Sequence, residues 1–105
     1  MSRLEQTHKI NCQNLICKIF SNKEIEKDHF EEVIQIIEAT LSGLPEKYQI
    51  VIKLRYGLDG KGAQTLQQIG NVLGITRERV RQLENKALRR LKHPSKTRQF
   101  QQYFA

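Results

Sequence analysis

Gly70 and Gly74, four residues apart, with Val80 six residues further on, constrain this chain more than any other feature of its sequence. A helix-turn-helix needs a small residue inside its first helix where the second packs close, a glycine at the turn, and an apolar residue that buries the second helix. These three positions meet that need, and Leu66, Ile69, Leu73, Ile75 and Leu83 supply a supporting core. A glycine inside a helix costs up to about 1 kcal/mol relative to alanine, so Gly70 asks for a packing reason. Helical hairpins also use glycines, and spacing alone leaves that alternative open. Thr65 is placed to cap the first helix, "LQQIGNVL", Gly74 to end it in a left-handed conformation, and Thr76 to cap a long last helix through about Leu91.

The rest of the chain shows no β-type alternation, and its apolar residues recur at helical spacing, so the expected fold is all-α: a small helical domain with a C-terminal helix-turn-helix. Leu15, Ile16, Ile19 and Phe20 predict a short N-terminal helix that stops near a new cap at Ser21 or Asn22. A second helix runs from about Asp28 to Ser42, with Phe30, Val33, Ile34, Ile37 and Leu41 on one stripe and Gly43 as its C-cap. Pro45 fits the first turn of a third helix, which carries Tyr48, Val51, Ile52 and Leu54 inward and Lys47, Lys53 and Arg55 outward until Gly57. "GLDGKGAQ" holds three of the six glycines and reads as a loop. After the break at "KHPSK", a last turn or two docks Phe100, Tyr103 and Phe104. We divide the chain into an N-terminal arm or helix, residues 1–26, and a helix-turn-helix domain, residues 27–105.

Charge narrows the function. The net charge is +7, but residues 1–43 carry five Lys/Arg against seven Asp/Glu, and residues 44–105 carry thirteen against four. The excess positive charge lies wholly in the part that holds the helix-turn-helix, which is therefore the part expected to meet a polyanion. No apolar run approaches the roughly 20 residues that span a bilayer, and "MSRLEQTHKINCQ" lacks the apolar core of a signal peptide, so a soluble, cytoplasmic protein is expected. Cys12 and Cys17 read as reduced thiols, because His8, Cys12, Cys17 and His29 lack the close paired spacing of a structural zinc site. No cofactor or metal is expected. His8, His29 and His93 stand apart from any nucleophile or carboxylate pair, which argues against an enzyme.

At 100° per residue the last helix places Val80, Leu83, Ala87, Leu88 and Leu91 on one side and Glu78, Gln82, Asn85 and Arg89 on the other. Arg81 and Lys92 flank one edge of the polar stripe, and Arg79, Lys86 and Arg90 the other. In a DNA major groove such flanking cations meet the phosphate walls while the centre faces base edges. Gln82 suits adenine, Arg77 guanine, and Glu78 the cytosine amino group. Glu78 has a second reading, as a first-turn anion favoured by the helix dipole and paired with a neighbouring arginine, and both readings stand at this point.

Residues 44–95, "LPEKYQIVIKLRYGLDGKGAQTLQQIGNVLGITRERVRQLENKALRRLKHPS", resemble region 4 of the sigma-70 family of bacterial transcription initiation factors, of the primary or housekeeping type; the run "TRERVRQLENKALRRLKHP" is highly specific. "FEEVIQIIEATLSGL" is similar to the helix that leads into it, which extends the likeness to residues 28–105. The resemblance implies a helix-turn-helix of the winged-helix-like or sigma region 4 type that binds double-stranded promoter DNA at the −35 element. It also implies docking on RNA polymerase core through the β subunit flap. Arg77, Glu78 and Gln82, with Arg81, match base-reading positions, and Thr65, Lys53, Arg55 and Arg79 match positions at the phosphates. Lys86, Arg89 and Lys92 match a basic patch touched by activators.

The departures from the family are equally specific. Nothing resembles regions 2 or 3, residues 1–25 match nothing in the family, and Asn85 replaces the usual small residue. A stand-alone or excised domain is expected, with an anti-sigma factor, an activator or a split sigma partner as further candidate partners. The alternative is an interaction module that competes with a sigma factor for the β flap or for an anti-sigma partner.

Overall fold

The computed structural model describes residues 13–16, 18–19, 30–94 and 98. Its helices are α1 (Phe30–Ser42), α2 (Glu46–Tyr56), α3 (Leu66–Leu73) and α4 (Arg77–Leu91), preceded by a helical stretch at residues 13–16 and 18–19. There is no strand among the described residues, and the fold is all-α. The expected cap at Ser21 or Asn22, the start of the second helix at Asp28, the docking of Phe100, Tyr103 and Phe104, and the residues His8, Cys12, Cys17 and His29 lie outside the described residues. Among those described, no cluster of His, Cys, Asp and Glu could hold a metal ion, and no helix is long and apolar enough to cross a membrane.

In α1, Val33, Ile37 and Leu41 are buried at successive turns, while Ile34 is half-buried. Glu31 and Glu32 stand in its first turn, where they favour the helix dipole. The bend into α2 is held by the Gln49 side-chain amide, which donates to the Leu44 carbonyl at 2.7 Å. Pro45 sits one position earlier than expected: with φ −53° and ψ 145° it is the N-cap, and the helix begins at Glu46. Its ring still supplies the fixed φ without leaving an extra amide unpaired. The buried stripe of α2 is Tyr48, Val51, Ile52 and Tyr56. Leu54, expected inward, is half-buried, because Tyr56 lies on the line through Tyr48 and Ile52 at four-residue steps.

The glycine-rich loop that follows is fastened at its far end. The Gln64 amide donates to the Leu54 carbonyl at 3.0 Å, and the Gln64 carbonyl accepts from Arg55 Nη1 at 3.0 Å. The next residue, Thr65, opens α3 with a capping box: its hydroxyl accepts from the Gln68 amide at 3.1 Å, and Gln68 Oε1 accepts from the Thr65 amide at 2.8 Å. A cap of this kind contributes about 1 kcal/mol.

Gly70 has the packing reason it asks for. A Cβ there would lie 2.7 Å from the Ile75 carbonyl oxygen, so the backbone of the turn passes directly over it. Gly74 then ends α3 at φ 71°, a left-handed conformation that side chains rarely adopt. Thr76 starts α4, its hydroxyl accepting from the Arg79 amide at 3.1 Å. Ile52, Ile69 and Val80, one from each of α2, α3 and α4, are fully buried against one another's helices in a single core. Leu15 and Ile16 of the N-terminal stretch are fully buried in that same core, and Ile19 nearly so. The predicted short helix therefore shares the core of the domain, although it lies in the segment set apart as an arm.

Candidate nucleic-acid interface

α4 sorts its side chains as its periodicity requires. Val80, Leu83, Glu84, Ala87 and Leu91 are buried, and Arg77, Glu78, Arg79, Arg81, Gln82, Asn85, Lys86, Arg89 and Arg90 are exposed, as is Lys92 at the C-cap. Thr65 and Lys53 are also exposed. At the start of α3 the capping box occupies the Thr65 hydroxyl and the Thr65 and Gln68 amides, leaving the amides of Leu66 and Gln67 for an anion.

Two of the sequence-selected residues hold each other. Arg81 Nη2 lies 2.6 Å from Glu78 Oε1, and Arg81 Nε donates to both carboxylate oxygens at 3.2 and 3.0 Å. These hydrogen bonds, more than the nearby charges of Arg81 and Arg77, hold the Glu78 carboxyl below its ordinary range. The reading of Glu78 as a first-turn anion paired with a neighbouring arginine is thus realised. Both side chains are more than half exposed, so water and salt screen the pair and it opens readily to a competing partner. Arg79 Nη1 makes a long contact of 3.4 Å with Gln82 Oε1. Arg77 makes no ion pair among the described residues.

Arg55 departs from the outward position expected of it. Its Nε lies 3.1 Å from Glu84 Oε2, and with Nη1 on the Gln64 carbonyl its guanidinium joins α2, the end of the loop and α4. Side-chain exposure is 35% for Arg55 and 12% for Glu84. The physical reason is Glu84 itself, a carboxylate on the buried face of α4 that requires a cation. Tyr56 adjoins the pair; burial first, and then the Glu84 charge, push its phenol well above the ordinary range. Sequence reading passed over Glu84, yet its place four residues after Val80 and three before Ala87 marks it as inward. Arg90 is exposed on the flank assigned to it and lays its guanidinium over the Tyr48 ring at 4.9 Å, with Lys47 Nζ at 5.2 Å from the same ring.

Helix-turn-helix geometry, a cationic border and the run from Thr76 to Pro94 converge on one family, and the comparison with known families decides it. The sequence model described as "Sigma-70, region 4" matches residues 40–93, just over half of the chain. The chain belongs to the sigma-70 region 4 family. This region 4 domain is similar to "RNA polymerase sigma factor SigA" of Listeria monocytogenes serovar 1/2a and of Listeria innocua serovar 6a. Identity is 42% over 78 residues in each case, covering 72% of this chain and 21% of each relative. It is similar to SigA of a Bacillus species at 42% over 74 residues, covering 70% of this chain and 20% of that protein. The region 4 domain thus spans about a fifth of the length of the curated relatives it matches.

The family-matched residues take in α2, α3 and α4 and the end of α1. Both glycines of the turn, both threonine caps and every exposed residue selected on α4 fall within them. The N-terminal stretch that buries Leu15, Ile16 and Ile19 falls outside.

Proposed function

We propose that this domain binds double-stranded promoter DNA at a −35-like element and docks on RNA polymerase core through the β subunit flap. The observation that carries the reading is the joint exposure of Arg77, Glu78, Arg81 and Gln82 on the first turns of a capped α4, within a sigma-70 region 4 domain. In this reading those four residues face base edges in the major groove, Arg77 toward guanine and Gln82 toward adenine. Lys53, Arg79 and the α3 N-terminus at Thr65 meet phosphates, fixing the register without reading sequence. Arg55 contributes indirectly, by holding α2, Gln64 and α4 together. Lys86, Arg89 and Lys92, exposed along the second half of α4, form the patch open to an activator.

The Glu78–Arg81 pair gives this interface a discriminating step. On DNA, Arg81 is drawn to the groove wall or a base, and Glu78 must find another donor. A cytosine amino group supplies one; a site without it leaves a carboxylate among phosphates.

Fluorescence anisotropy of the chain on −35 and scrambled duplexes, at two salt concentrations and with or without polymerase core, tests the reading. Tighter binding to the −35 duplex, a steep loss of affinity with salt and further gain with polymerase are expected. Equal affinity for both duplexes sinks the base-reading assignment. Capture of polymerase without any DNA protection would instead assign the chain to competition with a sigma factor for the flap or for an anti-sigma partner.

A further inference from the structure

The N-terminal stretch meets the recognition helix on one particular edge. Asn14 and Lys18 line a cleft of about 250 Å³ together with Arg55, Tyr56, Ala63, Glu84, Asn85 and Leu88. On α4, the residues Glu84, Leu88 and Asn85 step round from the buried face toward the polar stripe, on the side that also carries Arg81 and Lys92. The stretch is fixed there by Leu15, Ile16 and Ile19 in the core, which turns Asn14 and Lys18 out to solvent. Within the cleft Arg55 and Glu84 neutralise each other at 3.1 Å. The Lys18 ammonium, which has no ion pair among the described residues, is thus its uncompensated charge.

From this juxtaposition we infer that Asn14 and Lys18 extend the DNA-contacting surface beyond the family-matched region, with Lys18 taking a backbone phosphate beside Asn85. The inference rests on the DNA-binding reading above. A cleft of this size accepts a phosphodiester group, for which Lys18 supplies charge and the side-chain amides of Asn14 and Asn85 supply donors. The opposite role, a segment that covers the DNA face until displaced, calls for carboxylates facing the cations of α4. Residues 13–19 contain none, and residues 1–26 hold four Lys/Arg against three Asp/Glu. The segment is thus attractive to DNA where it lies against the edge of α4.

The test is the salt dependence of binding by the full chain to labelled −35 and scrambled duplexes. Lys18→Gln should weaken binding to both duplexes by the same factor and lower the log–log salt slope by about 0.9, the loss of one phosphate contact. Lys18→Arg should restore the slope. Lys47→Gln, in the first turn of α2 over the Tyr48 ring that Arg90 shares, removes the same charge on the other side of α4 from Asn85 and should leave the slope unchanged. Lys18 is exposed, so an unaltered thermal melt is expected for each of its variants. An unchanged slope in Lys18→Gln overturns this inference alone, as does tighter binding, which would mark the segment as a cover. Equal slope losses for Lys18→Gln and Lys47→Gln overturn it too, by reducing the effect to net charge. A parent chain that binds neither duplex overturns the DNA-binding reading, and this inference with it.

Discussion

Gly70→Ala sets two effects of opposite sign against each other at the centre of the motif. Helix propensity alone favours alanine by about 1 kcal/mol. Against it stands the turn: the new Cβ would lie 2.7 Å from the Ile75 carbonyl oxygen and 3.5 Å from the Arg77 nitrogen. The first atom is backbone and cannot swing aside, and 2.7 Å is far inside the roughly 3.5 Å at which carbon contacts become favourable. Relief requires the turn to move outward, and overpacking of this kind costs about 1–3 kcal/mol. That movement also disturbs the Thr76 cap, worth about 1 kcal/mol, which offsets the gain in propensity. The net expectation is destabilisation by about 1–3 kcal/mol, or a midpoint lowered by about 4–8 °C for each kcal/mol in a domain of this size. Thermal and urea melts followed by circular dichroism measure it, and anisotropy on the −35 duplex should show weaker binding because α4 moves with the turn. A variant as stable as the parent, or more stable, would mean that propensity decides and that the turn does not press on Gly70; the argument for the motif would then fail.

Other consequences can be measured independently. Glu84→Ala strands the half-buried Arg55 guanidinium and should destabilise the chain by about 1–2 kcal/mol, between the values for surface and buried pairs, while Arg55→Met with Glu84→Leu should recover much of that loss. Equal melts for the single and double variants would show that the pair is not coupled. Gln82→Ala should relax preference at one base position by about 1–3 kcal/mol, whereas Lys53→Ala should weaken all sequences alike; a panel of single-base duplex variants separates the two outcomes. Glu78 has its carboxyl held down in the folded chain, so its pairing with Arg81 favours the fold above the ordinary carboxylate range and is lost as pH falls through the lowered folded value. Titration of the Glu78 side chain by NMR should find it below that range, and Arg81→Gln should bring it back; a titration unmoved by that substitution would refute the pairing.

What was legible in the sequence was what short-range geometry determines. Gly70, Gly74 and Val80 announced the turn because close packing and a left-handed residue each exclude most side chains, and Thr65 and Thr76 announced the two helix starts for a similar reason. The exposed face of α4 followed from its period. The Arg55–Glu84 bridge spans 29 residues of sequence. A wheel can mark Glu84 as inward but cannot name its cation, and Arg55 was accordingly read as an outward, phosphate-facing side chain. The partner of Arg90 was hidden for the same reason, because the Tyr48 ring beneath it belongs to another helix. The apolar residues of the N-terminal stretch were visible from their spacing, but the edge on which they dock depends on a groove made by other elements. Pro45 differed by a single position, since a fixed φ suits the cap and the first turn alike.

Both backbone groups of Gln64 are bonded to the end of α2: its N–H donates to the Leu54 carbonyl and its C=O accepts from the Arg55 side chain. The hold on α3 from the loop side therefore begins at Gln64, and the exposed stretch Asp59–Lys61, beyond the Gly57 cap of α2 and Leu58 on the core, is free of that duty. Chain length in that stretch becomes a neutral variable: doubling a flexible loop costs only about 0.6 kcal/mol in closure entropy. Insertions there should leave the DNA-facing geometry intact, which makes this loop a natural place to attach a fluorophore, a tether or a second domain. Between Gln64 and Thr65, the same insertion would separate the reading head from its mount.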